Sequence, residues 1–220
     1  MPAPQGSREW FIARLGRATA SEFHRVMGGP RAWQSYAKQL RFERTLLHKV
    51  AVGEQVELPA VVDVQAMAWG QHWEPMARAE FAWRRQVDVQ TPEFRVHSKL
   101  PWVGCSLDAV FFDHASYQQG AEIKCLFRQD NHLRICAAGM PDDYKAQVQG
   151  EIWVYDFDGL WFVSFDPRRQ GEQRYYEQWV PRDAGYVKQL DQRVREFLTF
   201  VESGEEIVPA VEPGEIPVLF

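Results

Sequence analysis

Between Glu9 and Val87 apolar residues return every three or four positions, whereas from Phe94 to Phe127 they alternate or cluster in short blocks. The first spacing predicts helices and the second strands. A short helix is expected over Glu9–Leu15. A second, capped by Thr19 or Ser21, should run to Met27 and stop at Gly28-Gly29-Pro30. A third spans Ser35–Val52 with Leu40, Leu46 and Leu47 on its inner face, and a fourth runs from about Val64 to Arg85. FRVHS, WVGCSLDAVFF and GAEIKCLF then read as strands. Helical spacing returns over Pro141–Tyr155, followed by the strands LWFVSF and RYYEQWV and a last helix, Asp183–Val201, closed by Ser203-Gly204. Helices on both sides of a strand cluster predict a single α/β domain with a mixed sheet over residues 1–204. Residues 205–220 form an acidic tail with three prolines that fits no packed element.

Charge refines this picture. The net charge of −5 argues against binding nucleic acid by bulk attraction. Yet residues 1–50 hold nine Lys/Arg against three Asp/Glu, while the rest holds sixteen against twenty-seven. That split suits a phosphate-facing surface built by the first third, or a chance spread over solvated helix faces. No stretch has the apolar length of a membrane span. The N-terminus lacks the order of a secretory signal, and three unpaired-looking cysteines fit a reduced, cytoplasmic chain.

The candidate chemistry lies in four segments. On the strand GAEIKCLF, Glu122 and Lys124 share one face while Ile123 and Cys125 point into the core. A carboxylate beside an ammonium can hold a divalent cation and a water, although such pairs are common on solvated strands. Asp108, in an apolar strand pattern, must be paired or metal-bound, unless it starts a turn. A hairpin between the two strands would set it beside Glu122. On the fourth helix, Met67, Gly70 and Glu74 share a face, and the glycine could let a third carboxylate approach closely. From that segment alone, an exposed Glu74–Arg78 ion pair is the simpler reading. In DYKAQVQGEIWVYDF, Tyr144, Gln147 and Glu151 share a face opposite Val148, Ile152 and Tyr155, and an amide there could orient a phosphate oxygen or a water.

Taken in order, EWFIARLGRATASEFHRVM, MAWGQHWEPMAR, CSLDAV, EIKC, YKAQVQ and FDPR resemble the phage lambda exonuclease family of viral recombination nucleases, within the PD-(D/E)xK superfamily. The likeness runs over roughly residues 7–200. It departs at Leu107, where the family pattern has proline, and in the tail. The resemblance implies a restriction-endonuclease-like core, a central mixed sheet flanked by helices. It also implies a magnesium-dependent exonuclease that digests one strand of double-stranded DNA from a 5′-phosphorylated end, with two ions per site and manganese able to substitute. Asp108, Glu122 and Glu74 match metal-binding carboxylates, with the Ile123 carbonyl as a helper. Lys124 matches the lysine that positions or deprotonates the attacking water, and Gln147 the glutamine that reaches the scissile region. Arg14 and Arg31, with Thr19 and Ser21, match the binders of the terminal 5′-phosphate. Met67 matches an apolar wedge between the strands, or else packs in the core. The expected assembly is a ring-shaped homotrimer around DNA, working with a single-strand annealing protein in a phage or prophage setting. A related endonuclease or repair nuclease of the same fold, and a non-catalytic DNA-end binding module, are the rival readings. Trp33, Trp69, Trp73, Trp83 and Trp153 read as core or subunit packing.

Overall fold

The computed structural model describes residues 5–57 and 65–206; Val64 and tail residues 207–220 lie outside the described residues. Helix α1 (Arg8–Arg14) begins where the Ser7 hydroxyl accepts the Trp10 N–H, satisfying an otherwise orphaned donor. Strand β1 (Ala18–Thr19) leads through a 3₁₀ turn into the one-turn α2 (Phe23–Val26). Neither Thr19 nor Ser21 caps a helix as expected: Thr19 lies in a strand pair with Gly104, and its hydroxyl bonds the Ser21 hydroxyl (3.2 Å). Helix α3 (Pro30–Ala51) starts five residues earlier than its apolar spacing suggests. Pro30 stops the preceding segment but also opens this helix, since the first helical position needs no N–H. Helix α4 (Gln65–Arg85) follows.

The strands are β2 (Val89–Gln90), β3 (Arg95–His97), β4 (Leu100–Cys105), β5 (Ala109–Phe112) and β6 (Gln118–Lys124). Helices α5 (Gln129–Ala138) and α6 (Lys145–Tyr155) lead to β7 (Gly159–Phe165), β8 (Tyr175–Pro181) and α7 (Ala184–Ser203). The central sheet has the order β2-β5-β6-β7-β8 and is mixed, with β6 and β7 parallel and the other neighbours antiparallel. A smaller sheet, β1-β4-β3, adjoins it. WVGCSLDAVFF is therefore two strands in two sheets. Leu107, fully buried, breaks the alternation by packing on Gly120, where an added Cβ would meet its Cδ1 at 2.6 Å.

Helices cover both faces of the central sheet. On one, Phe23, Tyr36, Leu40, Val148, Ile152, Leu190, Val194 and Phe197 bury Leu160 and Phe162. On the other, Ala77 and Phe81 of α4 pack on Phe111, Ala121, Ile123 and Val163. Successive residues of β6 thus serve opposite faces, which puts Ile123 and Cys125 under α4 and leaves Glu122 and Lys124 toward α6. Among the described residues, no helix is long and apolar enough to cross a membrane.

Candidate active site

The β5–β6 hairpin sets the first two carboxylates. Ala109 pairs with Ala121, so Asp108 comes level with the Glu122–Ile123 peptide, and the Ile123 N–H donates to Asp108 Oδ2 at 2.7 Å. Lys124 Nζ donates to Glu122 Oε1 (2.6 Å) and to Gln147 Oε1 (3.1 Å). Gln147 Nε2 donates in turn to Glu122 Oε1 (2.6 Å) and to Glu151 Oε1 (2.9 Å). From the opposite wall Arg78 pairs with Glu74 and also donates from Nε to the Asp108 carbonyl (2.8 Å). The ion pair expected of Glu74 and Arg78 exists, but it is part of the site rather than a solvated surface contact.

Apart from Arg78, these groups line one cavity of about 410 Å³, together with Arg14, Thr19, Ser21, Met67, Gly70 and Ser106. Met67 is 46% exposed at this cavity and is not a core residue. Gly70 does not owe its place to crowding: an added Cβ would approach only the Cys125 carbonyl, at 3.8 Å. The glycine that close packing demands is Gly150 on α6, where a Cβ would sit 2.3 Å from Phe23. That contact draws the Ala20–Glu22 turn against α6 and hence Thr19 and Ser21 toward Gln147. Arg31 stands outside the cavity's lining, exposed in the first turn of α3. Of the five tryptophans read as packing, Trp83 is 68% exposed.

Electrostatics mark the cavity. Burial, followed by the nearby carboxylates Glu122 and Glu74, pushes Asp108 well above the usual carboxyl range. Burial and then Glu122 do the same to Glu151, and burial raises Glu74 despite Arg78. For Lys124 burial acts to lower the pKa, but Glu122 and Asp108 outweigh it, so the side chain stays an ammonium above its ordinary range. Cys105 and Cys125 are buried, and desolvation raises both thiols, Cys125 to about 12, as expected of inert packing residues.

Arg14 is held by stacking rather than by polar partners. Its guanidinium carbon lies 4.3 Å from the Trp10 ring centroid, and Trp10 Nε1 donates to Ser106 Oγ (3.0 Å). Among the described residues the guanidinium has no hydrogen-bond or ion-pair partner, and burial lowers its pKa. An unpaired, half-buried cation is costly and suits an incoming anion. The FDPR motif braces the opposite rim. Arg168 forks onto Asp166, donates to the carbonyls of Leu126 and Phe127, and lies 4.4 Å over Trp69.

Asp108, Glu122, Glu74 and the Ile123 carbonyl form an all-oxygen donor set, which fits a hard divalent cation such as magnesium. Among the described residues, no three acidic, His or Cys groups converge closely enough to chelate an ion as they stand. Glu74 is turned to Arg78 and Glu122 to Lys124 and Gln147, so binding requires those carboxylates to swing a short way into the cavity. Glu151 and the Arg78–Asp108 contact escaped the sequence reading as site features, although the shared helical face of Gln147 and Glu151 was a visible signal.

A mixed sheet with helices on both faces, and an aspartate meeting an E-x-K strand at its hairpin, define a nuclease core of the restriction-endonuclease-like fold. The model of the YqaJ-like viral recombinase domain matches residues 9–158, and the chain belongs to that family. This agrees with the resemblance to the lambda exonuclease group. The alkaline exonuclease LHK-Exo of Laribacter hongkongensis superposes with a TM-score of 0.74 at 26% identity, over 90% of this chain and 93% of that one. A second structure of LHK-Exo, in complex with dAMP, gives 0.75 at 26% identity over the same shares. A phage-related exonuclease from Haemophilus somnus 129PT shares the fold at 14% identity, with a TM-score of 0.53 over 85% of this chain and 94% of that one. The ExoD protein of Escherichia coli (strain K12) is 36% identical over 55 residues, 25% of this chain. The match spans 62% of the length of that curated relative.

Proposed function

We propose that the protein is a magnesium-dependent exonuclease that enters at a 5′-phosphorylated end of double-stranded DNA. It hydrolyses one strand in the 5′-to-3′ direction and leaves a 3′ single strand for recombination by annealing. One observation carries this reading: the Asp108–Glu122–Lys124–Gln147 cluster and the Arg14 guanidinium, without a hydrogen-bond or ion-pair partner among the described residues, open on the same cavity. The dAMP bound by LHK-Exo is the kind of product such hydrolysis releases, which supports the reading.

Asp108, Glu122, Glu74 and the Ile123 carbonyl would hold magnesium, two ions being expected and manganese able to substitute. The bound metal supplies polarisation of the scissile phosphate and activation of water. Lys124, held as an ammonium between Glu122 and Gln147, orients the attacking water and offsets charge gathering on the phosphate oxygens. Gln147 fixes the lysine. Arg14 grips the terminal 5′-phosphate with two parallel hydrogen bonds, and the Thr19 and Ser21 hydroxyls complete that pocket. Arg31, at the start of α3, meets phosphate only outside the cavity. Met67, exposed at the rim, is the wedge that parts the strands.

The basic first third suits the inner wall of a ring-shaped homotrimer, with the acidic remainder outward. A single-strand annealing protein is the working partner. A linear duplex labelled separately at each end, incubated with and without magnesium beside a covalently closed circle, tests the reading. Loss of 5′ label as mononucleotide, magnesium-dependent and with the circle intact, is expected. Cutting of the circle would indicate an endonuclease, and binding without release a non-catalytic module.

A further inference from the structure

Helix α6 places Glu151 one turn beyond Gln147, on the same face. The Glu151 side chain is almost wholly buried, at 1% exposure. Its Oε1 accepts the Gln147 amide at 2.9 Å, whereas Oε2 is buried with no hydrogen-bond partner among the described residues. Such a group destabilises a fold. Its neighbours on the helix, Val148, Ile152 and Val154, are apolar and buried, so packing alone would favour an apolar residue here.

The orientation of Gln147 explains the exception. A side-chain amide has a donor end and an acceptor end, and only one orientation lets Oε1 accept from Lys124 Nζ. Carboxylate oxygens of Glu122 (2.6 Å) and Glu151 (2.9 Å) both face Nε2. A flipped amide would aim its oxygen at both of them. Glu122 also accepts from Lys124 and belongs to the donor set for a cation, so its lone pairs have other claims on them. Among the described residues the Glu151 side chain makes no hydrogen bond other than that from Gln147, and none to Lys124.

We propose that Glu151 is a positioning residue for the reaction. It locks the Gln147 amide with Oε1 toward Lys124 and thereby keeps the ammonium aimed into the cavity when a cation occupies Glu122. The inference rests on the nuclease reading above and deepens it.

The test compares Glu151→Met, which keeps the volume and loses the acceptor, with Glu151→Gln, which keeps an amide oxygen. Each is made alone and on Gln147→Ala. Single-turnover cleavage of a 5′-phosphorylated duplex, KM for duplex ends and the metal-free melting temperature are measured. Glu151→Met is expected to lower kcat by about tenfold or more, the loss of one oriented hydrogen bond to the site, with KM changed less than about twofold. Its melting temperature is expected to stay level or rise, because an unsatisfied buried carboxylate is gone. Glu151→Gln should recover most of the rate, and on Gln147→Ala the Glu151→Met change should have almost no further effect. A Glu151→Met protein that is as fast as the parent overturns the positioning role. So does one that fails to fold or melts lower, one affected in KM alone, or one equally impaired on Gln147→Ala. An unmodified protein that releases no nucleotide overturns the nuclease reading itself, which separates the two failures.

Discussion

Replacing Lys124 by methionine removes the ammonium that balances Glu122 and leaves a side chain of similar size. The pair is 2.6 Å apart, with the lysine side chain 21% exposed and the glutamate 4%. Removing one partner of such a buried pair costs about 3–5 kcal/mol. For a chain of this size that corresponds to a fall in Tm of roughly 6–20 °C, at 2–4 °C per kcal/mol. The loss must depend on pH, and its sign follows from the neighbours. Asp108, Glu74 and Glu151 lie above their ordinary carboxyl values of 3.8 to 4.5, so the folded chain keeps protons that the unfolded chain releases. Their stabilising contribution is full below those ordinary values and is lost as pH rises through the folded ones. Without Lys124 the carboxylates repel one another least when protonated, so the destabilisation should be large at pH 8 and small near pH 4. Calorimetry at both pH values in chelator measures this, and single-turnover digestion at pH 8 with magnesium should show a loss of about 10²–10⁴-fold in rate. A Tm drop of equal size at both pH values, or cleavage within tenfold of the parent, would refute the reasoning.

Three further outcomes are expected. Arg14→Gln should narrow the preference for a 5′-phosphate over a 5′-hydroxyl end by about 10- to 150-fold, the worth of a charge-assisted hydrogen bond, whereas Arg31→Ala should change it far less; initial rates on paired substrates measure both. Magnesium at about 100 times its Kd should stabilise the protein by about 2.7 kcal/mol in a melting experiment, and Asp108→Asn should abolish most of that gain. Gly150→Ala, which forces a Cβ to 2.3 Å from Phe23, should cost about 1–3 kcal/mol in chemical denaturation, while Gly70→Ala should stabilise α4 by up to about 1 kcal/mol.

Period alone located most of the regular structure. The E-x-K strand, the Gln147 helix and the closing helix stand within a few residues of their expected bounds, because each buries a continuous apolar face. The sheet switch at Ser106–Asp108 was hidden, since an apolar run looks the same whether it stays in one sheet or dives into the core at Leu107. Two-residue strands such as β1 and β2 carry no period to read. Within the site, Asp108, Glu122, Lys124 and Gln147 were legible from alternation and the order of motifs. Arg78 was not, because its bond to the Asp108 carbonyl joins backbone and side chain across thirty residues, a relation that spacing cannot express. The idle oxygen of Glu151 depends on what fails to approach it, which only coordinates reveal.

The parallel pairing of β6 with β7 has a consequence for the order in which the site comes into being. Asp108, just before β5, and Glu122 on β6 are brought together by one hairpin and can meet as soon as that hairpin forms. Lys124 bonds Glu122 on its own strand, but its other partner, Gln147, lies far along the chain. The strand of Lys124 gains a second neighbour only after the crossover through α5 and α6 has been made, and the same crossover delivers Gln147 and Glu151. Contacts that span so much chain form late. A nascent or truncated chain ending before α6 therefore carries the acidic pair without Gln147, the residue that holds the lysine from across the sheet. The candidate site is completed by the folding of the domain's second half, and a half-made chain carries no finished one.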